Sequence, residues 1–268
     1  MFAVLEIEEY KRGIIKRLKR LFESDDVLMN YRTVKGCVPF ITIKIKKKPS
    51  GINWDEVRNA AGVCAQRLLL SKSVEIPKGY GLVRFEPDAY KNIPLFNSMM
   101  QVLKSVEKKN NLNVTVLDKE GVLCERIDSL LDHVRHITVL TDSISDYRTA
   151  SQRVMDSCGA AIVINDYDYP EVTDSIVFAD KYDERSKRCK VVFCPDSKNE
   201  NTIGGDCIEA EYYVLEQKPE CVDTLDFVAA LYEFNGFRRA NEYAFRRFVF
   251  QGQEITPEDL KKMIGEAL

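Results

Sequence analysis

The fold is decided by residues 113–169, which have the sequence NVTVLDKEGVLCERIDSLLDHVRHITVLTDSISDYRTASQRVMDSCGAAIVINDYDY. Three short apolar runs, at 114–117, 137–140 and 161–164, have the length of β-strands. Two amphipathic stretches of helical length separate them. Strands that alternate with helices in this way indicate βαβ units and a parallel sheet.

Acidic residues stand where these apolar runs stop. The pattern continues at Asp180, which follows a later apolar run at 175–179. Ligands of parallel α/β sheets bind beyond the carboxyl ends of the strands, so we expect a ligand site there. Its predicted residues are Asp118, Gly121, Thr141, Asp142, Asp166 and Asp180.

The acidic character of this sheet edge predicts the kind of ligand. We expect a nucleotide or a phosphorylated metabolite, with Mg²⁺ held by Asp118 and Glu120 to offset the negative charges. Tyr147 and Tyr167 also lie beside predicted strand ends, where aromatic rings either stack on a ligand or close the top of the sheet. The pattern does not separate these two roles.

The predicted architecture is α/β. A Rossmann-like, mostly parallel sheet with helices on both faces follows a smaller α+β module with antiparallel strands. In that smaller module, Ile41, Ile43 and Ile45 alternate with polar residues, as in a strand that is buried on one face. The predicted domains are 1–110, 113–220, and a group of C-terminal helices at 221–268 that pack on the α/β module.

Periodicity and turn residues predict further elements. The expected helices include 8–23, a helix that starts near Asn53 and includes Leu68 and Leu69, and 121–134. A helix is also expected at 238–248. Residues 197–206 are expected to form a polar loop, and 211–215 a short strand.

Composition sets the broad class. The chain has 268 residues, 45% of them hydrophobic and 30% charged, with a net charge of −3. No apolar stretch approaches the ~20 residues of a membrane span, so we expect a cytoplasmic protein without membrane association. Because the chain is mildly acidic overall and lacks a recognised reader motif, nucleic acid ranks last among the expected partners.

The loop at 118–121 has features of a dinucleotide-binding turn. Such a turn needs glycines so that the backbone can approach a pyrophosphate. The loop at 118–121 has one glycine, Gly121, which follows two acids and precedes a helical pattern. Asp142 lies about twenty residues further on, where a ribose-binding acid would stand. This is half of the fingerprint.

The same loop also has a second interpretation. VTVLDKEGV at 114–122 resembles the first motif of haloacid dehalogenase-like phosphohydrolases, and ITVLTDS at 137–143 is similar to their second motif. The resemblance implies an Mg²⁺-dependent enzyme in which Asp118 is the nucleophile and Thr141 or Ser143 holds the phosphoryl group. Glu120 stands in place of the motif's second Asp, and Gly205-Asp206 is the candidate for a later acidic motif.

A third interpretation is a non-catalytic interaction protein with a degenerate nucleotide fold. It would use basic clusters at 11–20 and 238–247 as partner surfaces. Residues 1–50 carry twelve Lys/Arg against six Asp/Glu, although the whole chain has a net charge of −3. A protein partner or a homo-oligomer therefore stays open.

Overall fold

The computed structural model describes residues 1–8, 27–34, 37–47, 51–106, 112–172, 174, 176–195, 202–209, 218–235, 244–251 and 253–266. The chain divides into two compact units. One contains Met1–Pro87 and Glu211–Ala240, and the other contains Asp88–Ala210 and Asn241–Leu268. The predicted division of the chain into three domains stays a prediction.

The described residues of the first unit form a mixed sheet of four strands, β1 (Ala3–Glu8), β2 (Leu28–Arg32), β3 (Phe40–Lys46) and β4 (Leu68–Leu70). Their order in the sheet is β2-β3-β1-β4. Strand β1 runs parallel to both of its neighbours, and among these strands only β2 and β3 pair antiparallel. The predicted antiparallel strands are therefore confirmed for that pair, within a sheet that is mixed as a whole.

Among the described residues, the first unit contains the helices α1 (Trp54–Ala61) and α4 (Thr224–Asn235). The side chain of Asn53 accepts a hydrogen bond from the Glu56 N–H and so caps α1. The α1 helix ends at Gly62, which has a positive φ. Leu68–Leu70 then pair with β1, so the prediction that Leu68 and Leu69 are helical is wrong. Three leucines in a row suit a buried strand as well as a helix.

The described residues of the second unit form the larger sheet. Its eight strands are β5 (Asn113–Leu117), β6 (His136–Thr141), β7 (Val163–Asp166), β8 (Ile176–Ala179), β9 (Val191–Phe193), β10 (Thr202–Glu209), β11 (Ala244–Phe250) and β12 (Gln253–Ile255). Their order in the sheet is β12-β11-β10-β9-β8-β5-β6-β7. Every pair from β10 to β7 is parallel, and β11 and β12 continue the sheet antiparallel. The predicted α/β class with a mostly parallel sheet is confirmed.

The helices of the second unit are α2 (Ile93–Ser105), α3 (Ile144–Cys158) and α5 (Pro257–Glu266). The rings of Phe96 on α2 and Phe178 on β8 are 5.3 Å apart and perpendicular. A second apolar cluster joins Leu117, Leu140 and Val177 to Val172 and Cys189 from the connections between strands. Among the described residues, no helix is long and apolar enough to cross a membrane.

The predicted helix at 121–134 is wrong. The chain there forms successive turns and a 3₁₀ helix, Ile127–Leu130. Its backbone hydrogen bonds span three residues, as between the Cys124 N–H and the Gly121 carbonyl, or the Arg126 N–H and the Leu123 carbonyl. Amphipathic spacing alone does not distinguish such a chain of turns from an α-helix.

Two further predictions are wrong near the end of the second unit. Thr202–Glu209 forms strand β10 instead of a polar loop. Residues 244–248 belong to strand β11 instead of a helix, because they pair antiparallel with β10. Glu8, the first residue of the predicted helix at 8–23, ends strand β1. Four other predicted features lie outside the described residues: the rest of that helix at 9–23, the strand at 211–215, the basic cluster at 11–20 and the first part of the cluster at 238–247.

The centre of the larger sheet gives a first prediction. Replacing Phe178 by Ala removes a fully buried ring at the middle of the sheet. We expect the free energy of unfolding to fall by about 3–5 kcal/mol, because the transfer free energy of the buried ring is lost and a cavity is left in its place. Urea denaturation followed by circular dichroism measures this.

Met155→Ala, on the surface of α3, is the control, because its side chain is 45% exposed. A loss for Phe178→Ala no larger than that for Met155→Ala would contradict the placement of Phe178 in the core.

Candidate functional site

The strand order fixes where a ligand site belongs in this sheet. From β5 the chain moves outward to β6 and then β7, and then crosses back to β8 on the other side of β5. Connections therefore leave β5 and β8 in opposite directions, which makes this strand pair the topological switch point. Asp118 follows β5 and Asp180 follows β8. The crevice beyond these two strands is the candidate site.

The carboxylate of Asp118 is enclosed by hydrogen-bond donors. Its Oδ1 accepts the N–H of Val122 at 3.1 Å, and its Oδ2 accepts the N–H of Leu123 at 2.8 Å. Oδ2 also accepts the Tyr147 hydroxyl of α3 at 2.6 Å. Asp118 is only 3% exposed, so this side chain holds its own loop closed while it borders the crevice.

Burial and hydrogen bonds act in opposite directions on Asp118. Desolvation raises the pKa of its carboxyl, and the bonds from Tyr147 and the loop amides lower it, so that a net rise remains. The pKa of Tyr147 is raised well above its ordinary value, first by its own burial and then by the negative charge of Asp118. Tyr147 therefore stays protonated and acts as a donor.

Asp180 is the less satisfied acid of the pair. Its backbone N–H donates to the Leu117 carbonyl of β5 at 3.2 Å. Its buried Oδ1 has no hydrogen-bond partner. Burial raises the pKa of the Asp180 carboxyl, and the charge of Asp118 raises it further. A buried carboxylate oxygen without a partner is costly unless a donor or a cation reaches it.

The loops after β5 and β6 are bonded to each other. The Asp142 N–H donates to the Lys119 carbonyl at 3.1 Å, and the Ser143 hydroxyl donates to the Glu120 carbonyl at 3.1 Å. The buried Thr141 hydroxyl accepts the Ser143 N–H at 3.0 Å. Thr141 and Asp142 therefore lie beside the Asp118 loop, as predicted from sequence, but the Thr141 hydroxyl already serves a backbone contact.

Gly121 makes this contact between the loops close. Its φ is +77°, and a Cβ at this position would lie 2.5 Å from the Ser143 Cβ. Any other residue would be both strained and too large here. Gly121 therefore serves loop packing in this structure, and the prediction that it contacts a ligand stays a prediction.

Two cationic side chains lie close to an aromatic ring near Asp180. The Lys119 ammonium lies 5.4 Å from the centre of the Tyr167 ring, and the Arg185 guanidinium lies 5.2 Å from it. Arg185 is held by a two-point ion pair with Asp183 and donates to the Tyr167 carbonyl at 2.6 Å. Burial, followed by the charge of Asp180, raises the pKa of Tyr167 to about 12.

No sequence pattern predicted a role for Lys119 or Arg185. Tyr167 stood beside a strand end, which is a visible signal, but Arg185 lies in a 3₁₀ helix, Glu184–Arg188, with no motif around it. Asp166 is further away, because β7 is separated from β5 by β6. The Asp166 side chain is exposed and accepts the Asp168 N–H. Asp166 is nevertheless paired with Thr141 across β6 and β7, so it lies one strand further from Asp118 than Thr141 does.

Metal ligation was also predicted, at Asp118 and Glu120. Within the part of the chain that the structure describes, no group of three or more His, Cys, Asp or Glu is arranged to hold a metal ion. Glu120 is exposed, and its charge raises the pKa of Asp180. The Mg²⁺ site stays a prediction.

Comparison with known proteins gives distant structural matches. No family model and no curated protein matches the sequence. An L-tryptophan dehydrogenase from Nostoc punctiforme is 12% identical over 72% of this chain, with a TM-score of 0.28, and this chain spans 61% of its length. A shikimate dehydrogenase in complex with NADP⁺ is 11% identical, covering all of this chain and 96% of its own, also with a TM-score of 0.28. These TM-scores are too low to carry a functional argument.

The Tyr147 contact gives a second prediction. Tyr147→Phe removes one donor from the buried Asp118 carboxylate, so we expect the pKa of Asp118 to rise further and the free energy of unfolding to fall by about 1–3 kcal/mol. Carboxyl NMR titration and urea denaturation measure the two effects. Tyr182→Phe is the control, because Tyr182 is not among the groups that shift the pKa of Asp118. An unchanged Asp118 titration in Tyr147→Phe would contradict this contact.

The Asp180 carboxyl gives a prediction on pH. Its pKa is raised in the folded chain, so the native state keeps a proton that the unfolded chain has already lost above its ordinary pKa of 3.8. This group's contribution to stability therefore falls as the pH rises through that window and levels off above the folded pKa. We expect the stability of Asp180→Asn, relative to the unchanged chain, to increase with pH above 3.8.

Urea denaturation of both proteins between pH 4 and pH 8 measures the difference. Titrating groups that Asp180 does not influence, such as Asp183 and Asp259, whose pKa values are lowered, cancel in the comparison. A difference that stays constant over this range would rule out the raised pKa.

Proposed function

We propose that this chain binds a nucleotide or a phosphorylated metabolite in the crevice beyond β5 and β8. The observation that carries the proposal is the buried Oδ1 of Asp180, which has no hydrogen-bond partner at the switch point of the sheet. An acceptor of this kind suits a ligand hydroxyl, such as that of a ribose or another sugar. A hydroxyl donor from the ligand would satisfy the carboxylate that the fold leaves incomplete.

Lys119 and Arg185 supply the positive charge for the phosphoryl group. The Lys119 side chain is 56% exposed and has only a loose ion pair with Asp142 at 3.8 Å. A surface lysine of this kind is free to turn toward a phosphate at little cost, because exposed ion pairs contribute little. Arg185 is fixed by Asp183, and its guanidinium lies 5.2 Å from the centre of the same Tyr167 ring.

Mg²⁺ belongs to the proposal because the crevice is acidic. Asp118, Glu120 and Asp180 influence one another electrostatically, as the raised pKa of Asp180 reflects. Carboxylate and phosphate oxygens are the ligands that Mg²⁺ prefers, and one or two carboxylates suffice when the substrate supplies the rest. The cation would draw its protein ligands from these three carboxylates.

A phosphohydrolase that uses Asp118 as nucleophile is the second candidate. In its favour, Asp118 and Asp180 follow neighbouring strands, so that a second acid stands beside the proposed nucleophile. Against it, both oxygens of Asp118 already accept hydrogen bonds, and the Thr141 hydroxyl serves the backbone of its own loop. Turning either Asp118 oxygen toward a phosphorus atom would leave a buried donor without its partner, so ligand binding is the better-supported function.

Titration calorimetry with a panel of mononucleotides and sugar phosphates, with and without Mg²⁺, tests the proposal. Asp180→Asn should weaken binding about 10- to 100-fold, the effect of losing one hydrogen bond to a charged group. Asp156→Asn, at an exposed carboxylate on α3, should leave the affinity unchanged. Absence of binding across the panel, or equal binding by Asp180→Asn, would refute the proposal.

A phosphatase assay with p-nitrophenyl phosphate and Mg²⁺ separates the two candidates. Turnover that is lost in Asp118→Asn and retained in Asp156→Asn would favour the hydrolase. We expect no turnover above that of Asp118→Asn.

A further inference from the structure

The loop after β5 has the amide arrangement of an anion-binding turn, but the anion comes from the chain itself. Consecutive N–H groups of Val122 and Leu123 converge on one carboxylate, that of Asp118, at 3.1 and 2.8 Å. In dinucleotide-binding sheets, the amides of the corresponding turn bind the ligand's pyrophosphate. Here the two amides are satisfied before any ligand arrives.

The carboxylate is also fixed from outside the loop. The Tyr147 hydroxyl donates to Asp118 Oδ2 at 2.6 Å, and Tyr147 is fully buried on α3. Its pKa is raised well above the ordinary value, so the phenol keeps its proton and its role as donor. Asp118 is thus bonded on two sides and cannot turn away without leaving buried donors unpaired.

The loop lacks the other features that hold a diphosphate. No α-helix follows it, since the chain continues as turns and a 3₁₀ helix, Ile127–Leu130. The partial positive charge of a helix N-terminus is therefore missing. Gly121, which lets a ligand approach the backbone in a dinucleotide turn, is in contact range of Ser143 instead.

We propose that Asp118 determines ligand specificity by acting as a built-in substitute for a ligand phosphate, so that the loop after β5 rejects diphosphates. A pyrophosphate at this loop would compete with Asp118 for the amides of Val122 and Leu123 and would be repelled by its charge. A phosphoryl group must then lie outside the loop, toward Lys119. This last consequence rests on the proposed function and narrows its ligand class to monophosphates.

Anion rescue tests the proposal. In Asp118→Ala the amides of Val122 and Leu123 lose their acceptor, so we expect a lowered melting temperature that acetate or inorganic phosphate partly restores. At anion concentrations near ten times the dissociation constant, mass action predicts a rise of about 3–5 °C. Neither the unchanged chain nor Asp156→Ala should respond in this way. An Asp118→Ala protein that responds to these anions no more than the two controls would overturn the proposal.

The unchanged chain provides a test that needs no variant. Titration with inorganic pyrophosphate, ADP or NADPH should leave the amide NMR signals of Val122 and Leu123 in place, and pyrophosphate binding with large shifts of both signals would contradict the inference. If Asp118→Ala does not fold, this measurement decides. The proposed function can fail separately, because a chain that binds no mononucleotide or sugar phosphate would still show anion rescue in Asp118→Ala.

Discussion

The hydrogen bonds from the Val122 and Leu123 amides to the Asp118 carboxylate are the constraint on which the candidate site depends. They fix the path of the chain after β5, which continues as a series of turns and a 3₁₀ helix. The fixed loop then presents the carbonyls of Lys119 and Glu120 to the loop after β6. A single buried carboxylate therefore organises the carboxyl edge of the central strands. The same bonds engage both oxygens of Asp118 and hold them toward the loop and α3.

Much of the architecture was visible in the sequence. The apolar runs at 114–117 and 137–140 became neighbouring parallel strands, because nearly continuous apolar segments suit a sheet that is covered on both faces. The acids that follow them were correctly placed at one edge, since parallel strands end on the same side. Asp180 joined them because β8 lies next to β5. The local sequence pattern was sufficient to predict these strands and the acids at their ends, because both depend only on neighbouring residues in the chain.

The remaining features depended on contacts between distant residues. Strand order places Asp166 at the edge of the sheet and Asp180 beside Asp118, and order is not encoded in any local pattern. The segment at 121–134 has helical spacing, but many of its backbone hydrogen bonds span three residues, which apolar spacing does not reveal. Thr202–Glu209 is a strand because β9 and β11 pair with it on either side, although its glycines favour a loop.

The crossing of the chain from β7 back to β8 has a consequence for how the second unit folds. Val114 pairs with Ile176, yet two complete strands and a helix lie between them in sequence. Closing such a long loop costs chain entropy before its contacts offset the loss, and pairings of this kind form slowly. During synthesis, β5, β6 and β7 emerge before β8. The two acids of the crevice are therefore brought together only after the crossing is complete.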